Sequence, residues 1–240
     1  MTQLDVLAIG AHPDDVELGC GGTILRLTDA GRRVGVLDLT AGEKGSRGTR
    51  KTRAAEGRKA AKLAGVVLRE TLAFPDTELE PTMKLRKAIV AAIRKHRPKI
   101  VLAPLPHDLH PDHAAAGRAV VDSIYPAGMK NFAAPGTPYR PLRVFHYFMH
   151  DEEPNAIVVD VESVWERRMA LAQCFASQLH APAADAAQFA TLIARSDFLL
   201  RIEARARVWG RRAGLTLGEP LVPMDSLAVT DVAALFGGSA

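Results

Sequence analysis

Leu4-Asp5-Val6-Leu7-Ala8-Ile9-Gly10-Ala11-His12-Pro13-Asp14-Asp15-Val16-Glu17-Leu18-Gly19-Cys20-Gly21-Gly22 passes from an apolar run through a polar turn into a glycine-rich stretch. The run at residues 4–9, apolar but for Asp5, has the character of a parallel strand buried on both faces. Residues 23–30 read as a helix that stops at Gly31, and residues 33–39 read as a second strand. This strand, helix, strand order predicts an α/β fold: a Rossmann-like, mostly parallel sheet flanked by helices in a single domain. Ligand sites in such folds collect where strands end, because the core fixes the strand while the next turn carries polar groups into a crevice. Gly19, Gly21 and Gly22 do not have the Gly-x-Gly-x-x-Gly spacing of dinucleotide sites, so no nicotinamide cofactor is expected.

The turn itself offers metal chemistry. His12 and Asp15 present a nitrogen and an oxygen three residues apart around Pro13. An ordinary helix cap explains the same residues equally well when they are taken alone. A second apolar run, residues 99–104, is followed by His107-Asp108-Leu109-His110-Pro111-Asp112-His113, which repeats the His-Pro-Asp pattern. Parallel strands release their C-terminal ends on one sheet edge, so His12, Asp15 and one of His110 or His113 are expected to meet. Two histidines, one carboxylate and an open position make up the ligand count of a catalytic zinc site.

On these two loops the sequence resembles the LmbE-like (PIG-L) zinc-dependent N-acetylglucosamine deacetylases. Their hallmarks are a His-Pro-Asp-Asp loop near the N-terminus and a His-Pro-Asp-His loop about a hundred residues later, and both stand unbroken here. The resemblance implies that His12, Asp15 and His113 hold one zinc ion per chain, that Asp14 is the general base and that His110 faces the reacting carbonyl. Thr40-Ala41-Gly42-Glu43, Arg53 in Thr-Arg-Ala-Ala-Glu, and Ser177-Gln178 narrow the likeness to the bacillithiol-pathway deacetylases of N-acetylglucosaminyl malate. By the same resemblance Arg53 binds substrate, Arg143 is a weaker substrate-binding candidate, and the chain forms trimers or hexamers. Other glucosamine conjugates and chitooligosaccharides present the same acetamide and stay open as substrates.

Composition bounds these readings. The 240 residues, 48% hydrophobic and 24% charged, suit one soluble α/β domain, with residues 1–125 as the metal-site core and 126–240 as pocket wall, extra strands and covering helices. Two cysteines form no disulfide framework, which points to a reducing cytoplasm, and Cys20 reads as a small packed side chain. The start lacks the basic region of a signal peptide, and no apolar stretch reaches the roughly 20 residues of a membrane helix. The formal charge of +4 is concentrated in residues 42–59, where seven Lys and Arg face Glu43 and Glu56. Without interleaved aromatics, that loop suits an anionic small molecule better than nucleic acid.

Further along, helices are expected at residues 52–63, 81–96 and 114–124, and strands at 66–74, 142–149 and 156–161. Ser163 reads as the cap of a helix to about residue 176, residues 184–214 as a last long helix, and 218–222 as an edge strand. His96 reads as a solvated helix end, His146 and His150 as strand packing or surface, and His107 and Asp108 as neighbours of the metal loop. The irregular segment 126–141 is long enough to suggest a pocket wall or subunit contact.

Amide hydrolysis at neutral pH needs an activated water and a partner for the developing oxyanion. Zinc supplies both, Asp14 is free to take the water proton, and His110, kept cationic by a carboxylate such as Asp112, stabilises the oxyanion or the leaving amine. A non-haem iron oxygenase uses the same two-histidine, one-carboxylate set, and a non-catalytic sugar-binding module is the third reading. The adjacent Asp14 and the intact loops favour hydrolysis.

Overall fold

The computed structural model describes residues 3–150, 152–180 and 191–230. Seven strands form one sheet: β1 (Val6–Gly10), β2 (Val34–Thr40), β3 (Leu68–Phe74), β4 (Ile100–Pro104), β5 (Arg143–Tyr147), β6 (Ile157–Asp160) and β7 (Gly218–Pro223). Their spatial order is β3-β2-β1-β4-β5-β7-β6. The first five run parallel, and β7 pairs antiparallel with both β5 and β6. The fold is the α/β class expected, with one difference at the edge. The last strand is inserted between β5 and β6, so β6 rather than residues 218–222 forms the sheet border.

Six helices lie among the described residues: α1 (Asp15–Asp29), α2 (Arg50–Ala64), α3 (Met83–His96), α4 (Pro111–Ala127), α5 (Trp165–Ala172) and α6 (Phe198–Arg212). Alternation along β1 divides the core. Leu7 and Ile9 pack with Leu85, Ile89 and Val120 of α3 and α4, whereas Val6 and Ala8 pack with Val16, Ile24 and Leu171 of α1 and α5. Helix ends follow local chemistry. Thr49 accepts the Thr52 amide at 3.1 Å to start α2, and Gly65, with φ of 69°, closes it.

Helix α1 starts eight residues earlier than the sequence suggested and is broken at Cys20, where φ is −145°. The break frees the Gly22 and Thr23 amides, and both donate to the buried Glu219 carboxylate of β7 at 3.0 and 2.7 Å. Arg168 Nε donates to the same carboxylate at 3.1 Å. The glycines here serve packing: a Cβ on Gly19 would sit 2.3 Å from the Tyr147 ring.

Other expectations are corrected. Ser163 caps nothing; it lies in a short 3-10 turn and accepts from Arg26. The last helix starts only at Phe198; residues 191–197 are turns, and residues 184–190 of the expected helix lie outside the described residues. His96 is buried rather than solvated, with Nε2 3.0 Å from Glu70. Segment 126–141 does not line the cavity at the strand ends; Pro135, Gly136 and Thr137 wall a separate one against α3. Instead the buried Arg94 fastens it, donating to carbonyls that include Ala127, Met129 and Ala134. No helix among the described residues is long and apolar enough to cross a membrane.

Candidate metal centre and active site

The sheet order reverses between β1 and β4, and the crevice beyond their C-terminal ends is where such folds bind ligands. His12 leaves β1 in that crevice, Asp15 opens α1, and Asp108, His110 and His113 follow β4. One donor atom each from His12, Asp15 and His113 lies within 4.8 Å of the other two. His113 Nε2 stands 3.2 Å from Asp15 Oδ1, and His12 Nδ1 stands 3.6 Å from Asp15 Oδ2.

The far nitrogens test whether this set suits a metal. His113 Nδ1 is 2.9 Å from Asp108, while His12 Nε2 is 3.1 Å from Asp76 and 3.2 Å from Asp112. Metal-ligating histidines are held in this way, with the second ring nitrogen on a carboxylate that fixes the tautomer and raises basicity. The residues therefore fit a divalent ion. Asp108 also accepts the His110 amide at 2.9 Å and the His150 amide at 3.0 Å. Asp112 accepts from the Thr77 and Leu79 amides at 2.8 and 3.3 Å.

Burial and neighbours set the protonation states. Burial works against charge on Asp15, but His113 and His12 outweigh it and hold the carboxyl well below its usual range. Burial also opposes protonation of His113, yet Asp15 and Asp108 push its imidazole up to about 9, and His12 is raised in the same way. His110 moves the other way, lowered by burial and by the two neighbouring histidines. It is therefore not held cationic by Asp112, whose carboxylate faces His12 instead. His110 Nδ1 accepts the Asp112 amide at 3.2 Å, which assigns the ring proton to Nε2, so a neutral His110 still donates.

Asp14 is buried beside this cluster with a backbone φ of 136°, a conformation that costs a non-glycine residue about 1–3 kcal/mol. Burial pushes its carboxyl up to about 7, against the opposing Arg53 guanidinium. Arg53 Nη2 donates to Asp14 Oδ1 at 2.9 Å and to the Pro13 carbonyl. A cavity of about 850 Å³ opens from Asp14, His110 and His113 towards α6.

The structure separates the remaining sequence candidates. Arg143 begins β5 and so lies at the opposite sheet edge, exposed, with its guanidinium on the Leu142 carbonyl, away from this chain's cavity. His107 turns outward to Glu153 at 2.7 Å. Ser177 and Gln178 fasten the basic loop, through Glu56 and the Arg47 carbonyl at 2.8 Å each. His150 was read as packing or surface, yet its ring stacks 5.4 Å from His113 and faces the cavity. Its position just past the end of β5 is the signal that would have found it. Asp76 follows β3 on the same edge and lines the cavity.

Fold and donor set together define an α/β protein with a candidate divalent-metal centre in the crevice at its strand ends. Residues 7–124 match the family described as PIG-L, GlcNAc-PI de-N-acetylase, and the chain belongs to that family. It is 38% identical to diacetylchitobiose deacetylase of Thermococcus kodakarensis over 72% of this chain and 69% of that one. It is 34% identical to a probable N-acetyl-alpha-D-glucosaminyl L-malate deacetylase 2 of Bacillus cereus over 50% and 60% of the respective chains. The solved structure of the conserved protein TT1542 from Thermus thermophilus superposes with a TM-score of 0.85 at 34% identity, covering 95% of this chain and 98% of that one.

Proposed function

We propose that this chain is a zinc-dependent N-deacetylase that releases acetate from an N-acetylglucosaminyl conjugate. The observation that carries the reading is the convergence of two carboxylate-backed histidines on Asp15 with Asp14 alongside. His12, Asp15 and His113 would hold the ion. Bound there, zinc supplies a Lewis acid for the acyl oxygen and lowers the pKa of its water to about 7.

The chain's own groups do the rest. Asp14, poised at about 7, accepts the proton of the attacking water and returns it to the leaving amine. Arg53 orients that carboxylate through its 2.9 Å bond and keeps its pKa from rising further. His110 donates from Nε2 to the developing oxyanion. Asp76, Asp108 and Asp112 hold the imidazoles in place.

For the aglycone, one relative is named a diacetylchitobiose deacetylase and another a probable deacetylase of the L-malate conjugate, the substrate the bacillithiol reading would need. A cytoplasmic location and an oligomer belong to the same proposal. The test measures metal content and acetate release for wild type and Asp14→Ala. One zinc per chain in both proteins, with turnover only in the first, supports the reading; full turnover in the variant overturns it.

A further inference from the structure

The cavity has two unlike ends, and the second describes the part of the substrate that is not cleaved. Past the histidines its wall is Leu18, Met149, Leu192, Ile193, Phe198 and Ile202. Leu18 and Ile202 are buried in a cluster against which Met149, Ile193 and Phe198 pack, so this wall is built from α1, α6 and the turns before α6. Among the described residues, every cation lining the cavity already has a protein partner. Arg195 and Arg201 share Asp197 at 3.0 and 2.8 Å, and Lys44 pairs with Glu78. Arg53 holds Asp14, and Arg205 donates to the Met149 and Leu18 carbonyls at 2.9 and 3.2 Å.

A dicarboxylate such as malate asks for cations not already engaged, and a second sugar asks for a wall of hydrogen-bonding groups. Beyond the engaged cations the described wall offers few polar groups, Glu152 and Thr191 among them, and mainly apolar surface, continuous with the reacting centre and large enough to enclose a group of some size. We infer that the substrate carries an apolar aglycone, an alkyl, acyl or aryl group, seated between α1 and α6 while its acetamide reaches the histidine cluster. The inference rests on the deacetylase reading above and names its substrate class. Arg195 and Arg201, exposed at the rim, leave one net positive charge with Asp197 where the aglycone would emerge.

The test uses the zinc-loaded full chain with N-acetylglucosaminides bearing methyl, propyl, hexyl, phenyl, malyl and N-acetylglucosaminyl aglycones, and reads acetate. Apolar burial predicts that kcat/KM climbs with alkyl length, up to about fourfold per methylene, and that the hexyl compound exceeds the malyl and disaccharide compounds by at least tenfold. In Phe198→Ala and Ile193→Asn the slope with chain length flattens. As a readout independent of turnover, metal-free protein binds hexyl glucosaminide at least tenfold tighter than methyl glucosaminide. Methyl and hexyl compounds cleaved alike, or malyl or disaccharide cleaved faster than hexyl, overturns the apolar subsite and leaves the deacetylase standing. No acetate from any member removes both.

Discussion

The two His-Pro-Asp loops are nearly the same in sequence and unlike in structure. In the second, His110 caps α4 with ordinary extended φ and ψ of −79° and 121°, Pro111 takes the first turn, and Asp112 turns its carboxylate to the other loop. In the first, the residue before the helix is Asp14, at a φ of 136°, and its side chain caps nothing. The second loop therefore obeys capping chemistry, while the first stores backbone strain at the residue with the raised pKa. A pattern that capping explains once is used the other time to aim a carboxylate.

The largest expected effect breaks that contrast at its centre. Asp14→Ala should lower kcat by about 10²–10⁴ and keep the metal, as steady-state kinetics with metal analysis would show. Asp14→Gly should be equally inactive yet more stable than Asp14→Ala, which loses the same Arg53 contact, by about 1–2 kcal/mol, because glycine accepts the positive φ; a thermal midpoint a few degrees above that of Asp14→Ala checks this. Asp112→Gly should instead lose stability. Next, Asp108→Asn should weaken metal affinity about 10- to 100-fold in competition with a chelator, since it supports His113 from behind.

Two smaller effects concern pH. In the metal-free protein His113 is protonated below about 9, and a ligand must be neutral, so apparent metal affinity should increase as pH rises towards 9. Titration calorimetry in buffers of different ionisation enthalpy would count the protons released. Arg53 opposes the burial that raises Asp14. Arg53→Met should therefore move the acid limb of the kcat/KM profile to higher pH, and a limb that stays in place or moves down would break the link between the two residues.

The sequence disclosed what local patterns carry. Residues 6–9 and 100–104 are apolar throughout because both sheet faces are covered, and the polar turns after them had to share one edge. Hence His12, Asp15 and His113 were legible as a set. What stayed hidden depends on distant partners. Whether Arg143 enters or leaves the site depends on which end of β5 it occupies. The inner place of β7 depends on antiparallel pairings of residues 60 to 80 apart in the chain, such as Phe145 with Pro223. His150 became informative only once β5 was known to end at Tyr147, and the partner of Asp112 only once β1 lay beside β4.

The break in α1 ties the first helix to the last strand of the sheet. Glu219 satisfies amides at Gly22 and Thr23, nearly two hundred residues upstream, and it arrives only with β7. During synthesis the His-Pro-Asp-Asp segment emerges early, yet the helix that anchors it lacks its stopper until β7 follows. Without β7 those amides would be bare, so the helix that opens with Asp15 is completed only by a strand from the far side of the sheet.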